Sequence, residues 1–223
     1  WFDYTSLGVP VKGTRLLPIK LPIPSEKSSN IPFHLRFTLG DLINCVESYN
    51  QKLTCVIDLT YANYYSPKFL HDNNISYHKI YVEGHTIPNS KTVEQQVLIK
   101  FRIDFYRFIN MVNKERKQSP AVMNIQLLIY IFEYIFINMS AINVLIFVFL
   151  DGIIAVHCTH GVNRTGYLIC RYLIDFMNIN PKDALREFEW ARGHPVEREN
   201  YVEDLLNSVS KLEVTNVENN RSA

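Results

Sequence analysis

The stretch GIIAVHCTHGVNRTGYLICRYLI, residues 152–174, limits what this chain can fold into more than any other. GIIAVHC is apolar and β-branched, which predicts a short buried strand over 152–158. Residues 164–177 predict a helix that starts inside the motif. The residues between them form a strand-to-helix turn. Such a turn gathers backbone N–H groups at the positive end of a helix dipole and holds a tetrahedral anion without any metal. Gly161 permits a tight left-handed turn there.

The side chains around the turn supply chemistry. Cys158 lies beneath the anion, and the amides that bind phosphate also stabilise a thiolate, so a depressed thiol pKa is expected. A thiolate aimed at phosphorus is a nucleophile. Arg164 sits at the lip, where a planar guanidinium grips two phosphoryl oxygens at once. Thr165 is placed to donate a hydrogen bond to the Cys158 sulfur as it leaves, and His157 to orient the loop through backbone hydrogen bonds. These parts suit a two-step phosphoryl transfer. Cys158 attacks to form a cysteinyl-phosphate and water hydrolyses it. Arg164 and the substrate-binding loop Thr159, His160, Gly161, Val162 and Asn163 stabilise the equatorial oxygens. An ordinary buried cysteine at a strand end, and a catalytically dead binding module, are the competing readings.

Around this unit the pattern is α/β. Thr38 starts a helix with Leu39, Leu42, Ile43 and Val46 on one face. LTCVIDL (53–59) and ISYHKIYV (75–82) read as strands. Thr92 caps a long helix whose apolar face runs from Val93 to Val112. Asn180-Pro181 opens a further helix that Gly193 closes, and a last amphipathic helix carries Tyr201, Val202, Leu205, Leu206, Val209 and Leu212. The expected fold is therefore α/β, a central, mostly parallel sheet flanked by helices. Residues 1–36, rich in Pro and Gly, read as an irregular arm packed on the domain. Residues 37–212 read as the catalytic domain and 213–223 as a disordered tail.

One segment interrupts the pattern. Residues 120–150 hold a single charge, Glu133. Hydropathy allows a membrane span, yet a spanning helix just before the motif strand would tear the sheet apart, so a membrane partner is not expected. A buried insertion over about 119–150 and a translated non-coding stretch are the other readings.

Composition bounds the rest. A chain of 223 residues, 47% apolar and 20% charged, suits one domain with a core. A net charge of +1 excludes a global pull toward nucleic acid, so any basic site is local. Four cysteines, Cys45, Cys55, Cys158 and Cys170, include no CxxC pair, which points to reduced, intracellular thiols. All but Cys158 read as core. No secretory signal precedes the first element, and the chain opens on Trp1 rather than Met, as a fragment would. No second ligand stands at metal spacing from His160 or Asn163, so neither metal nor cofactor is expected.

An absence indicates which phosphate. Esters of tyrosine or serine are poor leaving groups and call for an aspartic acid on a loop upstream of the nucleophile. The matching stretch IYVEGHTIPNSKTVEQQ (80–96) has no Asp, and its carboxylates are Glu83 and Glu94. A diphosphate leaves without a proton, so the sequence suits a phosphoanhydride, with Glu83 as back-up acid.

The motif HCTHGVNRTG carries the Cx5R signature of cysteine-dependent phosphatases. With GTRLLPIKLP (13–22), VIDLTYANYYSP (56–67), YHKIYVEGHTIP (77–88) and ARGHPVERENYVEDLL (191–206), the chain resembles the metazoan RNA 5′-triphosphatases of that superfamily. Within it the chain most resembles the RNA/RNP-complex-interacting type, an atypical dual-specificity phosphatase, and it is also similar to the triphosphatase domain of animal capping enzymes and to the baculovirus RNA phosphatase. Gly84 falls where dual-specificity phosphatases place their acid. The resemblance implies a cysteine-phosphatase fold and removal of phosphate from 5′-triphosphate RNA without metal. It also implies RNP proteins as partners, a monomer, and the nucleus as location. A dual-specificity protein phosphatase is the rival enzyme and a non-catalytic RNA-binding module the rival of another class. The family joins long helix to catalytic strand by a short connector, where this chain has residues 119–150. No KxDG nucleotidyl-transferase motif is present.

Arg192 and Arg198 flank GHPVE and suit the extra charge of a triphosphate; helix-end solvation or pairing with Glu197 or Glu199 is the alternative. Asp58, ending a strand at the sheet's C-terminal edge, is a catalytic candidate that orients Arg164 or another cation, or else caps a loop. His160 faces the RNA in this reading, Asn163 shapes the loop, and His194 and Arg171 stay outside the site.

Overall fold

The computed structural model describes residues 1–88 and 152–208, which form one compact unit. The expected helix after Thr92, the segment 119–150, positions Val209 and Leu212 of the last helix, and the tail 213–223 lie outside the described residues.

The sheet has four strands in the order β1-β4-β2-β3, where β1 is Leu16–Ile19, β2 Leu53–Asp58, β3 Ser76–Lys79 and β4 Ile153–His157. Every pairing is parallel. The two inner strands are buried along their whole length, which is why GIIAVH and LTCVID read as continuous apolar runs instead of alternating ones. Register brings Ile19, His157, Asp58 and Lys79 into one row across the C-terminal strand ends. In a parallel sheet this is the edge where ligands gather.

β1 corrects the reading of residues 1–36 as irregular. Its four residues are buried, and Pro18 sits in the strand. Proline donates no ladder bond and is tolerated at a sheet edge, and here its carbonyl accepts the Gly8 N–H at 3.0 Å. The strand over 75–82 is shorter than expected: its last ladder bond runs from Ile80 N–H to the carbonyl of Asp58, the final residue of β2, at 2.9 Å.

Helix α1 (Leu39–Ser48) starts with the expected capping box: Thr38 Oγ1 accepts from Asp41 N–H, and the Asp41 carboxylate accepts from Thr38 N–H at 2.8 Å. Its Leu39, Leu42 and Val46 join Leu17, Ile19, Leu53, Val56, Ile153 and Ala155 in the core. α2 (Lys68–Asp72) is a single short turn behind Pro67. Then come α3 (Asn163–Met177), α4 (Pro181–Arg192) and α5 (Glu199–Asn207). α4 is bounded as expected, by the Asn180 side chain on Lys182 N–H and by Gly193 at φ 75°. Gly166 lets α3 pack tightly, since a Cβ there would stand 2.6 Å from Val196 and 2.7 Å from Phe188.

Candidate active site

The loop from Cys158 to Val162 joins the end of β4 to the start of α3, the strand-to-helix turn that the sequence predicts. Gly161 has φ +69°, and a Cβ on it would stand 2.0 Å from the Ile19 carbonyl oxygen, so only glycine fits. Leu21 N–H donates to the Thr159 carbonyl at 3.1 Å, fastening the loop to the chain beyond β1.

Cys158 is 3% exposed and sits at the floor of a cavity of about 230 Å³. Burial alone would push its thiol up. The Thr165 hydroxyl, the Arg164 charge and the backbone N–H groups of Thr165 and Gly161 outweigh burial and hold the thiol below its ordinary value. The Thr165 hydroxyl is buried with no hydrogen-bond partner at full geometry. It lies within reach of the sulfur, a donor held ready for the thiolate. Cys170, buried on α3, shows the contrast, because nothing opposes burial there and its thiol is raised.

Arg164 is held from behind. Its Nη1 donates to the Val82 carbonyl at 3.0 Å and the Leu59 carbonyl at 3.3 Å, and its Nη2 to Thr159 Oγ1 at 3.0 Å. Among the described residues no hydrogen bond engages Nε, so Nε–H and the second Nη2–H form a free edge toward the cavity, suited to two anionic oxygens.

His157 is fully buried beneath the loop. Its Nδ1 lies 3.2 Å from the Cys158 carbonyl, which can only accept, so the ring proton is assigned to Nδ1. Nε2 then accepts the Tyr65 hydroxyl at 2.6 Å. Burial lowers the imidazole pKa against the pull of Asp58, and the ring is neutral. His157 therefore orients the loop as expected, with Tyr65 as a partner the sequence did not disclose.

Of the options for Asp58, the contacts favour another cation and a loop cap over Arg164. It touches neither Arg164 nor the cavity. Its carboxylate accepts from Lys79 Nζ at 2.9 Å, the Tyr77 hydroxyl at 2.9 Å, Thr60 N–H at 2.8 Å and Thr60 Oγ1 at 2.7 Å. Burial would raise this carboxyl; the hydrogen bonds from Thr60 and Lys79 bring it below its ordinary value. The cation it serves is Lys79, and it braces the strand ends next to His157.

Arg192 corrects its expected role. It is 1% exposed, and four of its five N–H donors go to protein oxygens. Nε donates to the Gly161 carbonyl at 3.0 Å, Nη2 to the His160 and Thr5 carbonyls at 2.8 Å each, and Nη1 to Thr5 Oγ1 at 2.7 Å. It buttresses the loop and ties it to the N-terminal segment, and it does not line the cavity. Burial lowers its pKa to about 10, still far above neutrality. Val162 is fully buried before α3 and does not line the cavity.

Arg198, His160, Asn163 and Thr159 do line the cavity. The His160 ring stacks on Tyr4, centroids 4.8 Å apart. Asn163 Oδ1 accepts from Glu197 N–H at 2.9 Å and Arg198 N–H at 3.0 Å, shaping the rim. His194 accepts from Thr5 N–H at 3.3 Å and Arg171 pairs with Asp175 at 2.9 Å, both outside the site. The side the sequence reading missed is Gly84-His85. The His85 ring lines the cavity and lies 2.5 Å from Arg198 Nη1, whereas Glu83 is exposed and is not part of the wall. His85 lies within YHKIYVEGHTIP (77–88), but nothing in that stretch alone assigns it a role. Among the described residues no cluster of three His, Cys, Asp or Glu forms a metal-binding group, and no helix is long and apolar enough to cross a membrane.

Residues 89–211 match the family model for the dual specificity phosphatase, catalytic domain. An RNA/RNP complex-1-interacting phosphatase of Bos taurus is 36% identical over 93% of this chain, which spans 50% of that protein, about half its length. An RNA/RNP complex-1-interacting phosphatase homolog of Caenorhabditis elegans is 34% identical, over 95% of this chain and 75% of that protein. Among solved structures, the core catalytic domain of the PP-IP phosphatase SIW14 from S. cerevisiae, in complex with citrate, superposes with a TM-score of 0.51. The identity is 14%, over 97% of this chain and 94% of that one, a likeness of fold alone.

Proposed function

We propose that this chain, which belongs to the dual specificity phosphatase family, hydrolyses the 5′-polyphosphate end of RNA through a cysteinyl-phosphate on Cys158. The observation that carries the choice of substrate is the make-up of the cavity wall. Among the described residues no carboxylate lines it, while Arg198 and His85 do. A phosphate ester needs a proton donor for its leaving oxygen; a phosphoanhydride leaves as a diphosphate anion and is helped by positive charge instead. The cavity of about 230 Å³ is also smaller than the roughly 300–1,000 Å³ pockets that enclose whole ligands, so it suits a terminal phosphate with the chain outside. The names of the relatives support an RNA-linked role.

Each group has one task. The Arg164 edge and the other backbone N–H groups of the loop hold the equatorial oxygens, while those of Gly161 and Thr165 support the sulfur. The Thr165 hydroxyl stabilises the Cys158 thiolate before attack and again as it leaves. His157 and Arg192 keep the loop's carbonyls turned away from the anion.

The test is phosphate release from a short RNA with a labelled 5′-γ-phosphate in EDTA, against Cys158→Ser, with the RNA end followed to diphosphate or monophosphate. Release by the parent chain and none by the variant is expected. Turnover of a phosphotyrosine peptide without release from RNA would replace this reading with protein phosphatase activity, and binding without turnover would make the chain an RNA-binding module.

A further inference from the structure

We propose that His85, gripped by Arg198, forms a subsite for the phosphate next to the one being transferred and so selects a polyphosphate over a monoester. This rests on the polyphosphatase reading above and names the residue that enforces it.

Four non-glycine residues among those described have positive φ: Asn50, Asn74, His85 and Asn178. Asparagine adopts the left-handed region readily, and Asn178 does so as a helix cap. His85, at φ 74°, caps no helix. A strained backbone persists only where its surroundings hold it, and here the holding groups all come from the start of α5. Arg198 Nη1 lies 2.5 Å from His85 Nδ1, Asn200 Nδ2 donates to the His85 carbonyl at 3.2 Å, and the Tyr201 hydroxyl donates to the Thr86 carbonyl at 2.8 Å. The imidazole is thereby fixed on the wall of the cavity whose floor is Cys158.

The chemistry of the pair follows from its donors. A guanidinium only donates; its Nη1 lies 2.5 Å from His85 Nδ1 and its Nη2 3.5 Å from Nε2, so the nearer contact places the lone pair on Nδ1 and the ring proton on Nε2. The wall thus carries an N–H donor with the Arg198 charge behind it. The loop amides and Arg164 take the reacting phosphoryl group, and the next phosphate meets His85 and Arg198. In the first step the Cys158 sulfur bonds to phosphorus and the anhydride P–O bond breaks. Its electron pair leaves on the β-phosphate, whose growing charge this wall stabilises without a proton transfer. Water then attacks the cysteinyl-phosphate and returns the thiolate.

The test uses the full chain and the variant His85→Gly, since glycine adopts φ 74° without strain and the backbone survives the change. The readout is kcat/KM on 5′-triphosphate RNA divided by kcat/KM on p-nitrophenyl phosphate. We expect this ratio to fall about tenfold, the scale of one charge-assisted hydrogen bond, mostly through KM, with partial recovery in His85→Asn. A ratio that stays put overturns the subsite, whether both activities fall together or neither moves. A second arm measures inhibition of p-nitrophenyl phosphate turnover by inorganic tripolyphosphate and by orthophosphate. A preference for tripolyphosphate that collapses in His85→Gly supports the subsite even if RNA is never cleaved, in which case the RNA reading alone fails. A preference that survives the variant, or is absent from the parent chain, overturns the subsite.

Discussion

Replacing Arg192 by methionine keeps most of the side chain's length and removes its donors. The Gly161, His160 and Thr5 carbonyls and Thr5 Oγ1 lose hydrogen bonds of 2.7 to 3.0 Å to a side chain that is 1% exposed. Each buried acceptor left bare costs about 1 kcal/mol or more, and relaxation with water recovers part of the total, so the loss is roughly 3–5 kcal/mol. A whole domain is stable by only about 5–15 kcal/mol. For a chain of this size the melting temperature should drop on the order of 10 °C. The assay is thermal unfolding by circular dichroism beside steady-state kinetics well below the new transition. Turnover should fall as well, because two of the freed carbonyls belong to the catalytic loop. A melting temperature within about 2 °C of the parent, together with a tenfold higher KM for a polyphosphate, would show that Arg192 binds substrate and that the buttress assignment is wrong.

Other expectations follow from the same site. Thr165→Ala removes the foremost group holding the Cys158 thiol down, so the acid limb of the pH–rate profile should move to higher pH, with kcat lower by roughly tenfold or more; an unmoved limb refutes the contact. Gly161→Ala drives a Cβ to 2.0 Å from the Ile19 carbonyl, so Cys158 alkylation by iodoacetamide should lose its low-pH reactivity even where the protein stays folded. Stability should fall on acidification in two stages. His157 has a lowered pKa when folded, so below about pH 6.5 the unfolded chain takes up a proton that the folded one refuses. The Asp58 carboxyl is also depressed, and its contribution, whole at neutral pH, is lost as pH falls through about 4 and below. Urea midpoints from pH 7.5 to 5 check the first stage, and a flat line there would mean that the buried imidazole is not neutral.

What the sequence disclosed is what is local. The strand, loop and helix around Cys158, the Thr38–Asp41 capping box and the Asn180 and Gly193 boundaries each depend on residues a few positions apart. β1 escaped because Pro18 argues against a strand until an edge position and the Gly8 contact are known. The five residues of α2 are too few to show a period. Arg192 looked like a ligand because its partners, Thr5, His160 and Gly161, come from distant parts of the chain. Asp58 was placed at the correct sheet edge, but its cation, Lys79, is set by strand register. His85 gains its meaning only once α5 folds against the loop that carries it.

The tie between Thr5 and Arg192 joins residues 187 positions apart. Closing so long a loop is entropically slow and comes late in folding. During synthesis the cysteine and its arginine emerge well before residue 192, yet the His160 and Gly161 carbonyls lack their buttress until that arginine reaches Thr5. Catalytic competence therefore reports completed folding. Clipping the segment before Gly8 should silence the enzyme while leaving every cavity-lining residue in place.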